Sequence, residues 1–133
     1  MTTATATKTA QTIVASSSNA AGGTTRGTLD LRTKFGGELT FKVTNGGTGP
    51  TVGCTINILI AHNGGATPTA GSAGTDWKTH RTFTHTTTNS AIGEWSINIS
   101  EKIMHLEVEF TGNTGQAVTV EAFLSELTSI NNA

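Results

Sequence analysis

The chain has 133 residues, a formal net charge of −1 and 13% charged residues, against roughly 25% in ordinary globular chains. That length suits one domain with a modest core. The near-neutral balance, with no run of Lys and Arg, excludes binding to nucleic acid or anionic membrane driven by net charge. The single cysteine, Cys54, excludes an internal disulfide and a multi-thiolate metal site.

From the start, MTTATATKTA has no basic stretch leading into an apolar one, so it does not read as a signal peptide. The expectation is a soluble chain that needs no oxidising compartment. Beyond Met1, residues 1–8 hold no large apolar anchor, which predicts an arm that is flexible or ordered only against a partner. Residues 9–130 then form one β-sandwich domain, and residues 131–133 a short tail.

Thr makes up about a fifth of the chain, and its branched Cβ and solvated hydroxyl suit the outer surface of a pleated sheet. Alternation with period two dominates the chain from residue 11 onward. QTIVAS and TLDLRT (Leu29, Leu31) are weak matches. ELTFKVT sends Leu39, Phe41 and Val43 to one face, and CTINILI sends Cys54, Ile56, Ile58 and Ile60. The apolar run INILIA at residues 56–61 falls far short of the ~20 residues that span a bilayer. DWKTHRTFT is weaker (Trp77, Phe83), and EWSINIS presents Trp95, Ile97 and Ile99. MHLEVEF presents Met104, Leu106, Val108 and Phe110, and AVTVEAFL presents Val118, Val120, Ala122 and Leu124. LSELTSI has the length for one helical turn at most.

Gly-rich connections separate these segments, NGGTGP at residues 45–50 and TGNTGQ at residues 111–116 among them. The longest, at residues 62–76, offers nothing that packs a core, and loops of this length are usually functional or disordered. About eight short strands with frequent turns predict an all-β fold, an antiparallel sandwich of jelly-roll type.

Four glutamates, Glu107, Glu109, Glu121 and Glu126, crowd the last third of the chain. Period two puts Glu107, Glu109 and Glu121 opposite the core, where a solvated carboxylate gains none of the raised proton affinity a glycosidase acid needs. If the last two strands form a hairpin, pairing His105 with Glu121 avoids opposing Glu107 to Glu121. His62, His80, His85 and His105 make neither His-x-His nor His-Glu-x-x-His, so no metal site is expected. Cys54 sits in an apolar strand as an inert thiol. No Gly-x-Ser-x-Gly elbow or phosphate-binding loop occurs, and Asn98-Ile99-Ser100 matches a glycosylation acceptor by pattern only. The chain is therefore read as a non-enzyme without a cofactor. Trp95 reads as core. Trp77, beside Lys78, His80 and Arg81, admits three roles: a cap on the core, an anchor for a protein partner, or a stacking platform for a sugar.

Several stretches together, TKTAQTIVASSSNAAGGTTRGTLDLRT, VTNGGTGPTVGC, GTDWKTH and MHLEVEFTGNTGQAVTVEAFLSELTSI, resemble small virion proteins of tailed bacteriophages that decorate or cement the head. The likeness runs from about Thr7 to Ile130 and rests on turns and strands rather than catalytic residues. It implies a β-sandwich or jelly-roll protomer, commonly a homotrimer, seated on the capsid exterior where major capsid proteins meet. Such a protein is made in the host cytoplasm during assembly and performs no chemistry. The low-charge exterior agrees, because burying it costs little desolvation. Candidate partner contacts are Thr3, Thr5, Thr7, His62, Trp77, Lys78 and Arg81. The alternatives are a carbohydrate-binding sandwich using Trp77, and another virion component such as a tail or fibre-head subunit.

Overall fold

The computed structural model describes residues 4–71 and 76–132. Eight strands run in chain order: β1 (Ala4–Asn19), β2 (Thr25–Asp30), β3 (Gly37–Asn45), β4 (Thr55–Ala61), β5 (Lys78–Thr84), β6 (Ile92–Ile99), β7 (His105–Thr111) and β8 (Val118–Asn132). They form two four-stranded sheets, one ordered β1-β8-β3-β6 and the other β2-β7-β4-β5, every pair antiparallel. Apart from β4 and β5, which share a sheet, successive strands alternate between sheets in the manner of a jelly roll, so the expected fold class holds.

The alternation seen in the sequence is what closes the sandwich. Leu39, Phe41 and Val43 meet Ile56, Ile58, Leu106, Val108, Phe110, Val120 and Leu124 between the sheets, each at most 2% exposed. At the open side between β5 and β6 an aromatic group fills the gap. Phe41 stacks on Trp95 with ring centroids 5.4 Å apart, and Phe83 lies edge-on to Phe41 at 5.1 Å. On the other side, β1 lies against β2, where Gly27 lets the Ile13 carbonyl come so close that any Cβ there would overlap it.

Two expectations are corrected. The hairpin does not form, because β7 and β8 belong to different sheets, so His105 never opposes Glu121. β8 pairs instead with β1 and β3, which sets Glu121 across from Lys42. LSELTSI is strand rather than helical turn, continuing β8 to Asn132 inside the expected tail. Residues 4–8, expected as an arm, are the first part of β1 and pair with β8 from Ala4↔Asn132 to Lys8↔Leu127. β3 leaves β8 at Gly37↔Glu126 and the backbone of Phe35 and Gly36 still bonds Leu127, so the pairs from Ala4↔Asn132 to Thr7↔Ser129 form a two-stranded ribbon projecting past the third strand.

Candidate functional site

Sheet β2-β7-β4-β5 has a second dry layer on its outer side. Leu59 and Ala61 of β4 pack there against Trp77, forming a small cluster separate from the main core. The loop after β4 folds across them, and Trp77 Nε1 donates to the Thr69 carbonyl at 3.0 Å. The three apolar residues of this cluster flank the loop rather than belong to it, and the loop contributes the Thr69 carbonyl. Trp77, with no exposed surface, is neither a sugar platform nor an outward anchor in this conformation.

Beneath the same loop, β7 presents His105, Glu107 and Glu109. The expectation of a hydrated Glu107 is overturned, since its side chain is fully buried. The Gly71 amide donates to Glu107 Oε1 at 3.0 Å, and Oε2 has no hydrogen-bond partner among the described residues. Burial is the main cause that pushes the Glu107 carboxyl above its ordinary range, and the Gly71 amide and Arg26 only partly oppose it. Arg26 lies 3.9 Å from Glu107 and donates to Glu109 at 3.0 Å, while Asn57 Nδ2 donates to the other Glu109 oxygen. Gly71 has φ of 76°, and a Cβ there would stand 2.8 Å from the Arg26 guanidinium.

His105 is also fully buried, whereas Met104, expected inward, is 37% exposed. His105 Nε2 donates to the Asn63 carbonyl at 2.8 Å; a carbonyl only accepts, so this nitrogen carries the proton. Nδ1 faces Asp30 Oδ1 at 3.8 Å without a hydrogen bond. Asp30 is gripped by Arg32 through its side chain and backbone amide, which hold its carboxyl down at about 2. Arg32 also donates to the Gly64 carbonyl at 3.1 Å. Asn63, Gly64, Thr69 and Gly71 are thereby each tied to the sheet or to Trp77. What these buried polar groups do is fasten a loop.

The outer face of the other sheet differs. Across β8, β3 and β6 lies a hollow of about 440 Å³ lined by Thr40, Lys42, Glu94, Ser96, Glu121 and Phe123. Lys42 pairs with Glu121 at 3.5 Å, and the Phe123 ring is 36% exposed. Parity placed Glu121 opposite the core. It missed the hollow, because the neighbouring strands come from distant parts of the chain.

The expected partner contacts do not converge. Thr5 and Thr7 are exposed on the β1 ribbon, and Lys78 and Arg81 are exposed on β5 at the opposite flank. His62 is exposed at the start of the long loop, Trp77 is buried, and Thr3 lies outside the described residues. Glu126, at 2% exposure, accepts from Thr128 Oγ1 at 3.3 Å. Among the described residues no group of three His, Cys, Asp or Glu side chains is placed to hold a metal ion.

No protein family and no curated protein matches this chain by sequence. Its fold is similar to the K3 cleaved adhesin domain of Lys-gingipain from Porphyromonas gingivalis W83, with a TM-score of 0.58, 10% identity, and coverage of 82% of this chain and 71% of that one. The K1 domain of the same protein gives 0.55 at 11% identity, covering 100% and 99%. The SPBc2 prophage-derived protein YomS gives 0.45 at 19% identity, covering 90% and 94%. At these identities the likeness to the two adhesin domains shows the β-sandwich fold alone.

Proposed function

We propose that this chain is a structural virion subunit that binds the outer surface of a phage head and cements neighbouring major capsid proteins without catalysing a reaction. The observation that carries the reading is the β1–β8 ribbon. Residues 4–10 of β1 are all exposed, Lys8 is their only charge, and residues 4–7 face a β8 segment beyond the last backbone contacts with Phe35 and Gly36. A two-stranded ribbon is marginal in water by itself and gains stability when a third surface covers it. Ile130, paired with Ala6 and 48% exposed, supplies an apolar contact. The sequence resemblance to head decoration proteins supplies the kind of surface.

Purified protein mixed with heads assembled without it should sediment with them at a fixed stoichiometry, and Ile130→Asp should weaken the association. Protein that stays wholly in the supernatant would refute the assignment.

A second reading, carbohydrate binding, is favoured by the hollow on β8, β3 and β6. Phe123 offers a face for a sugar ring, and Glu94, Glu121 and Lys42 offer hydrogen bonds to hydroxyls. A glycan array with wild type and Phe123→Ala separates it from the first reading, which predicts no glycan dependent on Phe123.

A further inference from the structure

A sandwich with two open sheets has four edge strands, and proteins usually guard such edges with charges, bulges or cover. Three edges here are guarded. β1 carries Lys8 and three breaks of register against β8, at Thr7/Lys8, Thr12/Val14 and Val14/Ser17. β2 is short, carries Arg26 and Asp30, and has β1 lying against it. β5 carries Lys78, His80 and Arg81 and is bulged opposite Ile58/Leu59.

Among the described residues β6 has neither a bulge nor a covering strand, and its one charge, Glu94, belongs to the hollow on the outer face. Its pairing with β3 runs unbroken from Gly37↔Ile99 to Thr44↔Ile92, and its eight residues contain no Pro, Lys or Arg. Among the described residues no strand pairs with its outer side. Ile92 is 60% exposed, and Trp95 and Ile97, which point between the sheets, are only half-buried.

What fits beside β6 is set by β5, the strand beneath it in the other sheet. Arg81 lies directly opposite the buried Ile58, and Lys78 opposite Ile60, so both project from the core-facing side of β5 at the open flank. Arg81 is exposed and has no ion pair or hydrogen bond among the described residues. A strand added to β6 would turn alternate side chains toward these cations. A second copy of this chain, pairing β6 with β6 about a twofold axis, would bring its own Lys78 and Arg81 to the same flank, and like charges brought together are unfavourable.

We propose that the β6 edge is a docking site for an extended acidic segment of a partner protein. The segment adds as a ninth strand, with backbone hydrogen bonds to β6 and carboxylates on alternate residues facing Arg81 and Lys78. Apolar residues on the same face, beyond the carboxylates, cover Trp95 and Ile97. This inference stands apart from the virion reading, since it names the partner's chemistry whatever assembly the partner belongs to.

The test uses isotope-labelled full-length protein and a synthetic heptapeptide of threonines, with glutamate at its third and fifth positions and valine at its first and seventh. Amide resonances of β6 should shift and saturate, and the same peptide with lysine for glutamate should bind about tenfold more weakly, as expected for an electrostatic preference. Arg81→Glu replaces an exposed side chain and should reverse the preference while leaving the rest of the spectrum in place. Any of three results overturns the proposal: no saturable shift on β6 with the glutamate peptide, saturation mapped to another edge, or a preference unchanged in Arg81→Glu. Failure here leaves the head-sedimentation test standing, so the two ideas fall separately.

Discussion

The Gly71 amide holds one oxygen of the Glu107 carboxyl at 3.0 Å, while the other oxygen is buried without a hydrogen bond among the described residues. The carboxyl is therefore better accommodated neutral than charged. Its folded proton affinity is raised above the ordinary value of 4.5, so between that value and the raised one the folded state binds more protons than the unfolded. Stability from this group is present at low pH and declines as pH rises through that window. Glu107→Gln keeps an acceptor for Gly71 and removes the charge. Urea melts followed upward from below the ordinary carboxylate value should show a higher midpoint for the variant at the alkaline end and a flatter profile. Glu107→Ala, which strips the Gly71 amide of its partner, should cost about 1 kcal/mol or more at every pH.

Asp30 works in the opposite sense. Arg32 holds its folded value near 2 against an ordinary 3.8, so its contribution is present above 3.8 and lost as pH falls toward 2. Circular dichroism during acid titration should show Asp30→Asn lacking this part of the wild-type acid transition. An identical acid limb in the two proteins would show that the Arg32 contact adds nothing to stability.

Trp77 organises the long loop by filling the space over Leu59 and Ala61 and by donating to Thr69. Trp77→Ala should cost about 3–5 kcal/mol, the usual range for emptying a large aromatic site. Trp77→Phe keeps most of the packing and should lose about 1 kcal/mol from the missing hydrogen bond. Equilibrium denaturation measures both, and faster amide exchange at Gly71 in Trp77→Ala would report release of the loop.

Gly27 marks the seam where β1 meets β2. Because a methyl group there would run into the Ile13 backbone rather than a movable side chain, Gly27→Ala should cost about 1–3 kcal/mol. The loss should appear first as weakened hydrogen-exchange protection in β1. Undiminished protection in β1 would contradict the close approach.

Period two carried most of the fold, because each side chain's direction in a strand is local information. Leu39, Phe41, Val43, Ile56, Ile58, Val108 and Val120 all lie where alternation puts them. Glu107 obeyed the same parity and pointed away from the core as expected. What parity does not contain is whether a distant loop returns to cover the outer face, so hydration did not follow from direction. The β7–β8 hairpin failed for a related reason. A short Gly-rich connection is compatible with both a hairpin and a crossing between sheets, and only packing of the whole molecule decides. The open edge of β6 was equally hidden, since strand order across a sheet is not a property of neighbouring residues. One hint was available: EWSINIS has no cation, and KTHRTFT has three groups that can carry one.

Cementing differs from mere attachment in that it strengthens the shell. The most direct measurement is therefore the temperature at which heads lacking this protein disrupt, followed as purified protein is added. The account predicts a rise that saturates once the binding positions are full, with a smaller rise for Ile130→Asp. A disruption temperature that does not move, even at large excess of protein, would contradict it.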